Sequence, residues 1–345
     1  MKQTILITGW AGYIWSHAVV AFEKAWYTTV IVDNFINSSY TSLQGIEKIL
    51  WYKPHFVECD IRNKKKLQEI FQTYNFDWVL HFAWLKAVWE SCQKPLEYFD
   101  NNISGSLVLF EVMEEFQVKN ILFSSSATVY KSKENISWLI ETDITGETTN
   151  PYGTSKFLLE NILNDLSQFA WFSVINLRYF NPIWAHQSGY IWENPNGLPN
   201  NLVPYIMKVA IWELDFVSVF GNDYKTIDGT WVRDYIDVID LIEGHIKAYE
   251  YMNIKNTSSK EWFFQVFNLW TGKWVSVLEM IRTIEQITQQ KINYQITKRR
   301  SWDLAEVYCN PKKAWEQLHW KTHISLCESI TNMWKFYQNI KNGKK

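Results

Sequence analysis

Hydrophobic and polar positions along this chain follow two periods in turn. Short apolar, β-branched runs recur at Thr4–Thr8, Val30–Val32, His55–Glu58, Trp78–Phe82, Asn120–Ser125 and Phe172–Leu177. Each reads as a buried strand. Between them lie segments of helical period: Ser16–Ala25, Ser42–Leu50, Lys64–Tyr74, Pro95–Phe116 and Tyr152–Phe169. In the third, Leu67, Ile70 and Phe71 fall on one face. Strands alternating with helices predict an α/β fold, a Rossmann-type doubly wound parallel sheet. After Asn181 the pattern loosens. The stretch 187–201 is rich in Gly, Pro and Asn, a loop long enough to carry function. Helices are then expected at Leu202–Ile211, Val238–Tyr251, Val277–Thr288 and Ser325–Gln338, with strands near Phe216–Val219 and Gln265–Asn268. Residues 1–180 therefore read as one doubly wound domain. Residues 181–345 read mainly as a smaller C-terminal α/β lobe.

The first strand runs into Gly9, Ala11 and Gly12, and a helix follows. A strand, a glycine turn and a helix open a dinucleotide-binding unit, in which the helix N-terminus faces a pyrophosphate. Asp33 follows the turn by about twenty positions, where a ribose hydroxyl is held. One feature conflicts with this reading. A glycine every third position would fall on 9, 12 and 15, and position 15 is Trp15, with Trp10 inside the same turn.

The composition generalises that conflict. The chain has 13 Gly and 20 Trp, where average usage would give roughly 24 Gly. Several Trp sit at turn positions suited to glycine. Trp26 follows a predicted helix end, a position that favours positive φ. Trp231 follows Asp228-Gly229-Thr230, Trp270 and Trp274 flank Thr271-Gly272-Lys273, and Trp302 lies in a polar loop. The pattern reads as Trp in place of Gly across an ordinary sequence.

The remaining composition narrows the class. A net charge of −2 gives no reason to expect nucleic acid or an anionic membrane as partner. Four dispersed cysteines, without a CxxC pair, fit reduced thiols and no metal site. No signal-peptide pattern and no long apolar run is read, so a cytoplasmic location is expected.

The richest chemistry lies at Tyr152-Gly153-Thr154-Ser155-Lys156. Tyr and Lys four apart share a helix face. An ammonium beside a phenol is expected to lower its pKa from about 10 toward working pH. Tyr152 is thus a candidate general acid/base with Lys156 as its partner. The serine-rich strand end Ser124-Ser125-Ser126 offers a hydroxyl for the reacting oxygen.

With TGWAGYIWSH at the N-terminus, Val32-Asp33-Asn34, Asp60-Ile61, His81-Phe82-Ala83, Arg178-Tyr179-Phe180-Asn181-Pro182 and Val232-Arg233-Asp234-Tyr235, these motifs resemble the extended short-chain dehydrogenase/reductases. Within them, the chain is similar to the UDP-glucose 4-epimerases nearly end to end. That resemblance implies NAD as cofactor, UDP-glucose and UDP-galactose as substrates, a role in galactose and wider carbohydrate metabolism, and commonly a homodimer. It implies Tyr152 as acid/base, Lys156 as its tuner and nicotinamide-ribose ligand, and Ser126 at the sugar 4-oxygen. Gly9, Gly12, Tyr13, Ile14, Asp33, Asn34, Asp60, Ile61, Phe82, Ala83, Lys86, Asn101, Ser124 and Tyr179 are implied around NAD, with 1–180 as the NAD-binding domain. Asn181, Asn201, Leu202, Arg233, Arg300 and Asp303, together with Lys86, are implied around the UDP-sugar. An arginine suits a diphosphate because its planar fork donates two bonds at once.

The family has Gly where this chain has Trp10, Trp15, Trp84, Trp184, Trp231, Trp270 and Trp302. Overpacking costs about 1–3 kcal/mol per site, against a net stability of about 5–15 kcal/mol. The chain is therefore expected to have lost most or all NAD binding and activity, and stable folding is in question. Two other readings stand beside this one. A related sugar-nucleotide 4,6-dehydratase would carry an Asp-Glu pair beside the strand-end hydroxyl, and Ser126-Ala127-Thr128 has none. A non-catalytic scaffold would use exposed Trp for contacts.

Overall fold

A computed structural model describes residues 2–9, 13–36, 40–131, 138–183, 186, 188–191, 199, 201–259, 262–300 and 305–341. The apolar runs form strands β1 Thr4–Thr8, β2 Thr28–Asp33, β3 His55–Glu58, β4 Trp78–His81, β5 Asn120–Ser124 and β6 Ser173–Arg178. Their connections are α1 Tyr13–Lys24, α2 Tyr40–Leu50, α3 Lys64–Thr73, α4 Val88–Gln93, α5 Pro95–Phe99, α6 Gly105–Glu115 and α7 Pro151–Phe169. Beyond them come β7 Asn181–Ile183, α8 Leu202–Ala210, β8 Val217–Phe220, β9 Val232–Asp237 and α9 Val238–Ser259. The chain ends with β10 Phe264–Asn268, β11 Trp274–Ser276, α10 Val277–Thr288, β12 Tyr294–Thr297, β13 Glu306–Val307, α11 Lys312–Gln317 and α12 Leu326–Lys341.

Seven parallel strands make the main sheet, in the order β10-β6-β5-β4-β1-β2-β3. The chain order reverses between β1 and β4, and such a switch point opens a crevice beyond the carboxyl ends of the strands. Helices cover both faces, so the strands inside the sheet are buried on both sides and lack alternation, while the edge strand β3 is partly exposed. The seventh strand, β10, comes from the second half of the chain and pairs with β6. The second half also builds β11-β9-β13, with β7 joined to β9, and the pair β12-β8.

Two expected elements differ. The run Pro95–Phe116 is not one helix: α5 gives way to a π-helical turn, Asp100–Ser104, before α6 begins. The widened turn places Asn102 where its side chain bonds Leu85 N–H at 2.9 Å and Ser155 Oγ at 3.1 Å. Such turns occur frequently at functional sites. The strand β9 was not expected, because Arg233, Asp234 and Asp237 break an apolar run, yet all six of its residues are buried. Among the described residues, no helix is long and apolar enough to cross a membrane.

Trp26 sits as anticipated. Its φ is +67°, its N–H bonds Glu23 O at 3.1 Å, and Tyr27 N–H bonds Phe22 O at 3.0 Å. That pair of bonds is a Schellman helix end, with Trp at the position glycine usually takes.

Candidate active site

The crevice is a cavity of about 1130 Å³. A single small-molecule pocket measures roughly 300–1,000 Å³, so there is room for two ligands. Gly9 closes β1 at φ +84°. A Cβ there would lie 2.3 Å from the Cα and N of Ala83, so only glycine lets the turn pass under the loop after β4. The helix α1 starts at Tyr13, and Ile14 and Trp15 line the cavity. Trp15 is not expelled: its indole is buried in the core cluster with Ile5, Ile7 and Val19. Gly12 and Trp10 lie outside the described residues, as do Trp184, Trp302, Asp303 and the side chain of Tyr13.

At the β2 end, Asp33 Oδ1 accepts the Phe35 N–H at 2.6 Å. Asn34 Nδ2 donates to Asp60 Oδ2 at 2.9 Å. Asp60 is gripped by Arg62, from Nε at 3.0 Å and Nη2 at 2.7 Å. Chiefly through that fork, its carboxyl is held down at about 2. Asp60 therefore braces the rim, while its neighbours Cys59 and Ile61 line the cavity.

The chemistry gathers between β5 and α7. Asn150 caps α7 by accepting the Gly153 N–H at 2.9 Å, and Pro151 occupies the first turn. Ser126 ends the β5 loop in extended conformation and accepts Thr128 N–H at 3.2 Å and Thr128 Oγ1–H at 3.0 Å. Its hydroxyl also bonds the Tyr152 phenol, which opposes but does not overcome burial: the phenol is pushed up to about 12. The expected lowering of Tyr152 by Lys156 is therefore corrected. Lys156 donates instead to the carbonyl of Ser124. Its Nζ lies 3.4 Å from the centre of the Trp84 ring and 5.8 Å from that of Tyr152. Burial holds the lysine well below its ordinary value, with Glu160 opposing. In this position the Lys156 amine is directed to the Ser124 carbonyl and not to the phenol.

Trp84 itself packs on His81 and Phe123, with ring centres 4.4 and 5.0 Å away. Its indole N–H is buried with no hydrogen-bond partner. Phe82, Ala83, Lys86, Asn101, Ser124 and Tyr179 line the same cavity, and the Tyr179 phenol bonds Ser124 Oγ.

The facing wall comes from the second half of the chain. Asn181 on β7 donates to the Asp234 carbonyl at 3.1 Å. Arg233 on β9 donates to the Val232 carbonyl at 2.7 Å and lies 4.9 Å from the Trp231 ring centre. Arg300 lies 4.4 Å from that of Phe220. Asn201 and Leu202 open α8 at the cavity edge. Trp270 is elsewhere: it is buried and donates to the Arg178 carbonyl at 3.1 Å.

Sequence reasoning missed the supports. His81 bonds Thr8 Oγ1 at 2.6 Å and Ser106 Oγ at 2.9 Å. Burial keeps it neutral, pushing it well below the usual histidine range. Glu160 accepts from Ser125 Oγ at 2.5 Å and from Arg178 at 2.9 and 2.5 Å. Glu160 lies one turn beyond Lys156, which is the signal that could have found it.

A switch-point cavity, a glycine-tight turn under β4 and a Tyr–Ser pair with a buried Lys define the short-chain dehydrogenase/reductase class. The comparisons agree. The family model described as GDP-mannose 4,6 dehydratase matches residues 6–333. A UDP-glucose 4-epimerase of Dictyostelium discoideum is 45% identical over 99% of this chain and 98% of its own length. The Homo sapiens UDP-glucose 4-epimerase is 43% identical over 99% of both chains. The crystal structure of the Bifidobacterium longum enzyme, in complex with NAD+ and UDP, superposes with a TM-score of 0.92 at 41% identity, covering 99% of this chain and 100% of that one. The chain belongs to the UDP-glucose 4-epimerase family.

Proposed function

We propose that this chain carries the site that interconverts UDP-glucose and UDP-galactose at C4, and that the chain with its present tryptophans has lost most or all NAD binding and turnover. The observation that carries the first part is the hydroxyl–phenol pair Ser126–Tyr152 facing two arginines, Arg233 and Arg300, across one cavity. Residues 1–180 then supply the NAD half and residues 181–345 mainly the UDP-sugar half.

The residues fit NAD at one end only. Gly9 gives the backbone clearance a pyrophosphate turn needs, and Asp33 and Asn34 stand at the ribose position. At the other end, Lys156 would hold the nicotinamide ribose, and the Trp84 indole covers it. NAD in this family supplies the reversible hydride acceptor for the sugar C4. The protein's own work is done by other groups. Tyr152, ionised to the phenolate, takes the proton of the 4-hydroxyl and as the resulting phenol returns it, and Ser126 orients that same oxygen. Arg233 and Arg300 hold the diphosphate while the 4-keto sugar turns over. Burial pushes the Tyr152 phenol up to about 12, so little phenolate is present near neutrality, and Lys156 turned from the indole toward the phenol would favour its ionisation.

A 4,6-dehydratase is the rival reading, given the description of the matching family model. It is disfavoured because Ser126-Ala127-Thr128 brings no carboxylate pair to the hydroxyl. The test is conversion of UDP-galactose, read by a coupled UDP-glucose dehydrogenase assay, with NAD content measured after denaturation. The unmodified chain is expected to carry little NAD and turn over weakly. The variant Trp10→Gly/Trp15→Gly/Trp84→Gly is expected to recover both, and Tyr152→Phe in that background to lose ~10²–10⁴-fold in kcat. Full NAD occupancy and turnover in the unmodified chain would overturn the impairment. NAD-loaded variant protein without epimerisation would overturn the activity.

A further inference from the structure

The tryptophans fall into two structural populations. Among the described residues, nine non-glycine residues have φ in the left-handed region, and four of them are Trp: Trp26 at +67°, Trp51 at +65°, Trp171 at +62° and Trp212 at +68°. A Cβ is disfavoured there and glycine is not. No packing compensates, since these residues are 83, 91, 62 and 69% exposed. Trp26 and Trp212 each sit at the glycine position of a Schellman end, with Glu213 N–H bonding Lys208 O at 2.9 Å in the second. Trp15 and Trp84 meet a different demand for the smallest residue. Trp15 stands third in the spacing of the N-terminal turn, where glycine lets helix approach strand. Trp84 covers Lys156 and buries an indole N–H without a partner. Trp320 belongs to the other population: it is 1% exposed, and its N–H donates to the Asp240 carbonyl at 2.8 Å.

Two unrelated demands, a left-handed surface turn and close packing around the nucleotide crevice, are met at six positions by the same wrong residue. Independent substitutions would scatter over residue types. One decoding rule produces this pattern, because the triplet UGA is read as tryptophan by some translation systems and as glycine by others. We infer that Trp15, Trp26, Trp51, Trp84, Trp171 and Trp212 are encoded by UGA and inserted as glycine in the cell that makes this protein, whereas Trp320 is encoded by UGG and is tryptophan. The inference rests on the proposed NAD site only for Trp15 and Trp84, and the four surface positions carry it independently.

The experiment is to sequence the transcript and to read the peptides of the protein isolated from its own cells by tandem mass spectrometry. Expected are UGA with glycine at the six positions, and UGG with tryptophan at 320. UGG at the six, or tryptophan in their peptides, would overturn the inference. If the peptides carry glycine but the isolated protein neither holds NAD nor epimerises UDP-galactose, the decoding stands and the proposed function falls.

Discussion

A single side chain decides more at Trp26 than at most positions. An L-residue in the left-handed region costs roughly 1–2 kcal/mol, and Trp26 is too exposed to regain it through contacts. Trp26→Gly is expected to stabilise the chain by about 1 kcal/mol, seen as a higher urea midpoint with unchanged slope. Trp320→Gly should do the reverse, destabilising by about 3–5 kcal/mol, because a buried, hydrogen-bonded indole leaves a cavity. Asp60 gives a pH signature. Its folded pKa, about 2, lies below the ordinary 3.8. Its contribution is therefore present above about pH 3.8 and is lost as pH falls through about 2. Thermal melts of Asp60→Asn should show a shallower acid loss between those values than the parent, and an identical slope would refute the Arg62 grip. Residue identity was legible where the backbone alone sets the demand, as at Gly9 and Trp26. It was not legible at Lys156, whose actual partner, the Ser124 carbonyl, is brought in by the fold.

Elements were legible where burial is uniform. The β-branched runs of the main sheet announce themselves because both of their faces are covered. The strand β9 hid because its buried charges have private partners: Asp234 takes Thr271 Oγ1 at 2.6 Å and Asp237 takes Ser329 Oγ at 2.6 Å. The π turn hid because its cause is the bonding of Asn102 to Leu85 and Ser155, distant in sequence. Helix α10, by contrast, carries its own start signal. Ser276 and Glu279 form a reciprocal capping box. Ser276→Ala is expected to cost about 1 kcal/mol in urea unfolding, while α12 at the chain end remains helical by circular dichroism.

Both halves of the chain line one cavity, and if each takes one ligand as proposed they should respond separately. A ligand at one hundred times its Kd adds about 2.7 kcal/mol to stability. UDP, whose candidate ligands Asn181, Arg233 and Arg300 come from the second half of the chain and line the cavity, is expected to raise the melting temperature. NAD is expected to shift it little until Trp10, Trp15 and Trp84 are replaced by glycine. Equal shifts by both ligands in the unmodified chain would count against the obstruction at Lys156. The doubly wound sheet was legible, and the switch point that opens the cavity emerged only with the observed strand order. The cavity's supports were not legible, because nothing in the sequence ties His81 to Thr8 and Ser106, or Arg178 to Glu160, until the fold pairs them.

The helix ends at Trp26, Trp51 and Trp171 have one more consequence. Each directly precedes a strand of the same parallel sheet, β2, β3 or β6. All three indoles therefore project from the edge opposite the cavity. In protein made with tryptophan at these positions that edge is expected to be adhesive: retention on a phenyl resin and salt-driven self-association should track these side chains, be indifferent to whether the cavity is filled, and vanish where glycine is inserted. The exposed indoles and the proposed active site thus sit at opposite poles of the molecule, and a variant can be freed of the indoles without touching the cavity.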